Sequence, residues 1–282
     1  MPEKLWVSQE NLNATDKELS MGLFRQLYEN RKLIFQMGKN DFKNKYASTS
    51  LGAVWGFIQP LVFMFMYMFV FQFILKQGTS GNYPYVVWFL PGIAMWMFFN
   101  DAVINGCTSI RSYSYLVKKI VFPIGTIPFI TLTSSMIVSS IVMGISIFIC
   151  LLFGFVPNLL LLLYYYVAAL FLIIALTRVT AAVCTMLPDF VKVVEILMQL
   201  LFWFTPIIWN MDMLSGSNLG VIAMVNPVAY IVTGFREAFV GGNTIGAYYG
   251  LHTYVFWGLV VFFFLYGEYI FNKSKNQYAD VL

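Results

Sequence analysis

Ionisable side chains are where chemistry would show first, and in this chain they are scarce: 11% of its 282 residues are charged. Two acids, Asp101 and Glu195, stand within or at the edge of long apolar stretches. A carboxylate at membrane depth is costly and marks ion or substrate paths by default, so a transport role is open to each. Each also has a plainer reading. Lys192 and Glu195 are three apart and would pair on one helix face, and Asp101 could pair with a cation such as Arg178. The single histidine, His252, has no visible partner for a metal or a proton relay, which suits a structural or interfacial place. Cys107, Cys150 and Cys184 lie apart in apolar runs, without metal spacing or a CxxC pair, and read as buried thiols. Gly38-Lys39 is followed by Asn40 and lacks the upstream glycine, so no phosphate-cradling G-x-x-x-x-G-K-[ST] loop is present. G-x-S-x-G, H-E-x-x-H and acidic pairs at metal spacing in a polar loop are missing as well. No catalytic residue, metal or bound cofactor is expected, and the chain does not read as an enzyme.

What surrounds these few groups is apolar. Hydrophobic residues make up 60% of the chain, including 28 Phe, 17 Tyr and 7 Trp, and the mean hydropathy is +0.75. Too little charge remains to cover a water-facing surface, so most of the exterior must face lipid. Six stretches approach the length needed to cross the hydrocarbon layer: Phe57–Leu75, Tyr85–Cys107, Phe129–Phe153, Leu159–Thr177, Val191–Trp209 and Leu251–Phe271. The third and fourth are joined by Gly154-Phe155-Val156-Pro157-Asn158, a tight helical hairpin. Tyr164-Tyr165-Tyr166 sits where an aromatic belt would meet a membrane boundary.

Lys and Arg set the orientation. Lys4, Lys17, Arg25, Arg31, Lys32, Lys39, Lys43 and Lys45 precede the first stretch. Arg111, Lys118 and Lys119 lie between the second and third, Arg178 and Lys192 between the fourth and fifth, and Lys273 and Lys275 in the tail. Only Lys76 and Arg236 fall on the other side. The positive-inside rule then puts both termini in the cytoplasm of a multi-pass protein.

Residues 1–50 form an N-terminal region in which Thr15-Asp16-Lys17-Glu18 reads as a capping box. Leu19, Leu23, Leu27 and Ile34 follow at helical spacing. An amphipathic helix in the membrane interface accounts for this pattern; a soluble helix packed on a partner is the alternative. Residues 51–282 form the membrane domain. Within it the outer segment 210–250 is too apolar for an ordinary loop. Asn226-Pro227 is a good helix start and Gly241-Gly242 a stop, so short re-entrant helices are expected there.

Three motifs combine. The first is Asp41-Phe42-Lys43-Asn44-Lys45-Tyr46 with Ser50-Leu51-Gly52-Ala53-Val54-Trp55 and Gln59-Pro60. The second is Arg111-Ser112-Tyr113-Ser114-Tyr115-Leu116-Val117-Lys118-Lys119 with Phe122-Pro123 and Ile127-Pro128. The third is Asn226-Pro227 ahead of Phe235-Arg236-Glu237. With the ending Tyr278-Ala279-Asp280-Val281-Leu282, the chain from about Lys39 onward resembles the permease subunits of type-2 ABC exporters, in the branch that moves lipid-linked polysaccharides and wall teichoic acids.

The resemblance implies an all-α membrane protein with six transmembrane helices, working as a homodimer with two copies of a separate ABC ATPase that binds ATP and Mg. It implies a coupling helix at Arg111–Val121, with Arg111, Tyr113, Tyr115, Lys118 and Lys119 facing the ATPase; an ordinary basic loop is the alternative. It implies a substrate entry along Asp16–Met37 and an extracellular gate at Leu219–Val240, including Asn226, Pro227, Arg236 and Glu237. The first and fifth spans would face each other across the dimer axis, making Phe63, Tyr67, Phe71, Trp203, Phe204 and Trp209 the pathway candidates, with Trp88, Trp96 and Phe99 behind them. Aromatic faces suit a sliding glycan because weak, repeated stacking permits both entry and exit. The cargo implied is an undecaprenyl-diphosphate-linked glycopolymer, wall teichoic acid first and O-antigen or capsular polysaccharide next, moved across a bacterial cytoplasmic membrane. Lipids are the other partner, and nucleic acid is not expected. The rival reading is an ion-coupled lipid flippase or a membrane-embedded enzyme without an ATPase, which would make Asp101 or Glu195 essential.

Overall fold

The computed structural model of the chain describes residues 23–75, 79–80, 83–119, 122–210, 225–240 and 250–282. The Thr15–Glu18 capping box lies outside them, as do 211–224 and Gly241-Gly242. The described part of the expected N-terminal helix comes in two pieces, α1 (Leu23–Glu29) and α2 (Arg31–Lys45). They are jointed at Asn30, whose side-chain amide donates to the Gln26 carbonyl at 3.0 Å and so competes with the helical ladder. On α2, Ile34, Gly38 and Phe42 recur every fourth residue and are buried, which places them on one face. Arg31, Lys32, Lys39 and Lys43 stay exposed.

A short 3-10 turn at Gly52–Val54 leads into α3 (Trp55–Met68), which continues as a π-helical turn over Phe69–Ile74. A minimal hairpin follows, β1 (Thr79–Ser80) antiparallel to β2 (Tyr83–Pro84). Then come α4 (Tyr85–Ser112), α5 (Ser114–Lys119), α6 (Ile127–Leu152), α7 (Leu159–Met186), α8 (Phe190–Phe204), α9 (Pro227–Val240), α10 (Leu251–Ser274) and a terminal turn, α11 (Tyr278–Val281). This is an all-α membrane protein. Among the described residues five segments are long and apolar enough to cross a bilayer: Gly52–Ile74, Tyr85–Ser112, Ile124–Leu152, Leu159–Met186 and Leu251–Ser274. At the place of the expected fifth stretch stands α8, with 15 residues or about 22 Å of helix.

The bundle is built around α4. Its apolar window is 78% buried, against 6% for Gly52–Ile74, so α4 is the axis and α3 sits on the rim. Close approach to α7 depends on Gly106, where a Cβ would come within 2.2 Å of Thr177 Cγ2. Gly106→Val should therefore overpack this contact at a cost of about 1–3 kcal/mol, read as a lower melting midpoint of the purified chain. The hairpin between α6 and α7 turns at Gly154, whose φ of 82° is left-handed and suits glycine. Asn158 then caps α7, its Oδ1 accepting from the backbone N–H of Leu160 and Leu161 at 3.1 and 3.3 Å.

Arg178 corrects two expectations. It does not sit in a loop between the fourth and fifth stretches but inside α7, which runs on to Met186, and it is buried. Nor does it pair with Asp101. Its guanidinium bonds Glu268 of α10, with Nε to Oε2 at 3.1 Å, and donates from Nη1 to the Gly125 carbonyl at 3.1 Å. It also lies 3.8 Å from the ring centroid of Phe271. A cation ends an apolar run in sequence, but once paired it lets the helix continue through the packed interior. Around this junction the Tyr278 ring is buried, edge-on to Phe271 at 5.6 Å, in one cluster with Ile110, Ala181 and Ala182. Leu23 and Gln26 also reach Gly125, so both described ends of the chain gather at one end of the bundle.

Candidate functional site

A cavity of about 810 Å³ opens among α3, α4, α6 and α8, with Lys45 and Tyr46 at its edge. Its wall has two characters. Phe63, Tyr67, Trp96, Phe202 and Trp203 supply rings, while Gln59, Asn100, Asn105, Gln199, Ser135 and Ser139 supply amides and hydroxyls beside Asp101 and Glu195. Phe202 joins the rings into one surface, 5.7 Å from Tyr67 and 5.5 Å from Trp96 between centroids. Aromatic faces next to hydrogen-bonding amides can hold a molecule that is apolar on one side and hydroxylated on the other.

Of the expected pathway residues, the structure brings Phe63, Tyr67 and Trp203 to this cavity and leaves three outside its wall. Phe71 stacks near Tyr85 at 6.2 Å, Phe204 is exposed on α8, and the Trp209 indole donates to the Trp203 carbonyl at 3.1 Å. Trp96 lines the cavity, Phe99 packs behind it at 6.0 Å, and Trp88 lies under a guanidinium described below. Sequence reasoning missed Phe202 and the polar wall. The signal was present as polar residues four apart in three different helices, Asp101 and Asn105, Ser135 and Ser139, Glu195 and Gln199, each pair on one face.

The polar groups are ordered. Asp101 Oδ2 accepts from the Ser135 hydroxyl at 2.5 Å, and Asn105 Nδ2 donates to Ser135 Oγ at 3.4 Å. Lys192 pairs with Glu195 at 2.8 Å, as their spacing implied. Lys45 lies 3.7 Å from Asp41. Burial, and then the Asp101 carboxylate, hold the Tyr46 phenol above its ordinary pKa.

The residues expected to couple to an ATPase occupy unlike settings. Arg111 Nη1 donates to the Thr185 carbonyl at 3.1 Å, closing the last turn of α7. Tyr113 is buried and donates to Asp41 Oδ1 at 2.7 Å; burial, helped by that carboxylate, raises its pKa well above the phenol range. Leu116 is buried too, whereas the Tyr115 ring is 53% exposed. Lys118 and Lys119 end α5, their side chains outside the described set. α5 is thus a short helix pinned by two side chains and presenting a third.

At the opposite end, Asn226 caps α9 as expected, Oδ1 accepting from the Val228 N–H at 2.9 Å, and its Nδ2 donates to Thr205 Oγ1 at 2.9 Å. Pro227 opens the helix. Arg236 is buried and not a surface charge: Nη2 donates to the carbonyls of Pro206 and Ile207, both at 2.9 Å, with the guanidinium 3.6 Å over Trp88. Gly92 leaves room for it, since a Cβ there would fall 2.6 Å from Nη2. Burial lifts the neighbouring Glu237 carboxyl to about 7, against the pull of Arg236. Among the described residues no three His, Cys, Asp or Glu cluster as metal ligands would.

Comparison with known proteins agrees with this architecture. Residues 32–240, about three quarters of the chain, match the family described as ABC-2 type transporter. The chain is 24% identical over 253 residues to an O-antigen export system permease protein RfbA of Klebsiella pneumoniae, covering 89% of this chain and 95% of that protein. It is 23% identical over 220 residues to a protein of the same name from Myxococcus xanthus, covering 77% and 84%. The matched region runs from α2 through α9 and takes in the cavity, α5 and the Arg236 anchor, and the chain is a membrane protein of the ABC-2 type transporter family.

Proposed function

We propose that this chain is the membrane-embedded permease of an ATP-driven exporter that moves an undecaprenyl-diphosphate-linked glycopolymer across the bacterial cytoplasmic membrane. Two copies work with two copies of a separate ATPase, which binds ATP and Mg, and both termini face the cytoplasm. The observation that carries this reading is the cavity, where aromatic rings from α3, α4 and α8 meet a wall of amides and hydroxyls. Such a lining offers stacking faces to sugar C–H groups and weak, exchangeable hydrogen bonds to sugar hydroxyls, so a chain can slide without being held. The names of the two relatives, O-antigen export system permease proteins, support a polysaccharide cargo and the role of a permease. In this reading α5 receives the ATPase, α9 closes the outer end, and the exposed rings of α3 and α8 face the second copy.

Co-expression with candidate ABC ATPase subunits from the same source tests the proposal. The expected result is a stable complex of two permeases and two ATPases whose hydrolysis of ATP drives polymer into inverted vesicles. A chain that purifies alone and moves lipid-linked polymer in response to a proton gradient, without ATP, would overturn it.

A further inference from the structure

The cavity wall has a charge balance that bears on which polymer it can pass. Its ammonium, Lys45, is held near Asp41 at 3.7 Å, and its carboxylate Glu195 is matched by Lys192 at 2.8 Å. Those pairs cancel. Asp101 differs: it is exposed, it lines the cavity, and its hydrogen-bond partner Ser135 is a neutral hydroxyl. The Asn105 amide donates to Ser135 and Ser135 donates to Asp101, a short relay of dipoles that point toward the carboxylate. The wall therefore carries one uncompensated negative charge, set among neutral donors and rings.

We propose that Asp101 is a specificity determinant that makes the passage accept an uncharged glycan chain and turn away a phosphodiester-linked one. This rests on the export reading above. A polymer with a phosphate in every repeat brings anion after anion past the same carboxylate, in a walled space where charges are screened less than in bulk water. A second copy related by twofold symmetry would repeat the charge and not cancel it. An uncharged glycan meets the opposite situation. Its hydroxyls can donate to Asp101, a charge-assisted hydrogen bond, while its C–H faces lie on Tyr67 and Trp203. Other cations of the described bundle do not change the sign, because Arg178 is engaged by Glu268 and lies outside the wall. The basic residues of α2 lie along the exposed face of that helix, suited to the anionic lipid anchor and not to the chain behind it.

The test uses the permease reconstituted with its ATPase in inverted vesicles, and two probes of matched length on undecaprenyl diphosphate: an uncharged polymannose and a poly(glycerol phosphate). The wild type is expected to move the uncharged chain on the order of tenfold faster than the phosphodiester chain at low salt. Asp101→Asn, which keeps shape and hydrogen-bonding capacity, should bring the two rates within a few fold of each other, and Asp101→Lys should reverse their order. Melting midpoints confirm that both variants fold. Should the wild type move the phosphodiester chain as fast as the uncharged one, or Asp101→Asn leave the ratio unchanged, the selection by Asp101 is wrong while ATP-driven export stands. Movement of both probes without ATP would instead bring down the export reading, and this inference with it.

Discussion

Replacing Arg178 by Met is expected to be among the most damaging single changes in this chain, costing about 3–5 kcal/mol, because it leaves the Glu268 carboxylate and the Gly125 carbonyl without their buried partner. The guanidinium ties α7, on which it stands, to α10 through Glu268 and Phe271 and to the connection before α6 through Gly125. Removing it unties both. The measurement is the thermal midpoint of the purified chain, read by intrinsic fluorescence in nanodiscs. A companion variant separates charge from packing. Arg178→Met combined with Glu268→Leu removes both charges and should recover much of the loss, as apolar replacements of buried pairs often do. If the double variant is no more stable than the single one, packing against Phe271 is what matters and the ion pair contributes little.

A second large effect is expected at α5. Reversing Lys118→Glu and Lys119→Glu together should abolish polymer export and release the ATPase on purification, while leaving the permease folded in the membrane. Electrostatic complementarity at an interface rim governs both encounter and partner choice, and like charges opposed there cost several kcal/mol. Fold integrity should survive because α5 is held by other residues, Tyr113 through Asp41 and Leu116 through the core. Tyr115→Ala, which trims the exposed ring, should weaken the complex less, as expected for one contact among several. Normal export by the charge-reversed protein would remove α5 from the coupling role.

The helices were legible in sequence because lipid makes backbone satisfaction so strict that long apolar runs have little choice of structure. Five of the expected stretches recur with shifted ends, and the largest shift has an identifiable cause. At Thr177 the apolar window stops at Arg178, but the helix does not, since the paired guanidinium is buried as readily as a neighbour such as Ala181. A partner that lies ninety positions away in the chain leaves no local trace. The same holds for Arg236, which looks like an outer loop charge until Pro206, Ile207 and Trp88 are seen around it. The cavity was half legible. Rings on the first and fifth stretches were identifiable as a set, and Phe63, Tyr67 and Trp203 were in it. Which side of a helix faces a cavity and which faces lipid depends on helix rotation, and in segments apolar all round the periodicity that would reveal it is weak. The residues that do carry the periodicity are the polar ones, Asn105, Ser135 and Gln199 among them, and each looks unremarkable alone.

The separation between Arg178 and Glu268 also has a meaning in time. Glu268 lies ninety positions after Arg178, so at ribosomal rates of about 5–20 residues per second roughly 5–20 s pass before the acid exists. During that interval the fourth apolar segment must enter the bilayer with an unaccompanied guanidinium, which can reach back toward the headgroups because it sits near the helix end. The docking of α10 and the seating of Tyr278 then follow the synthesis of α7 by that interval, so this corner of the bundle stays open until Glu268 has been made.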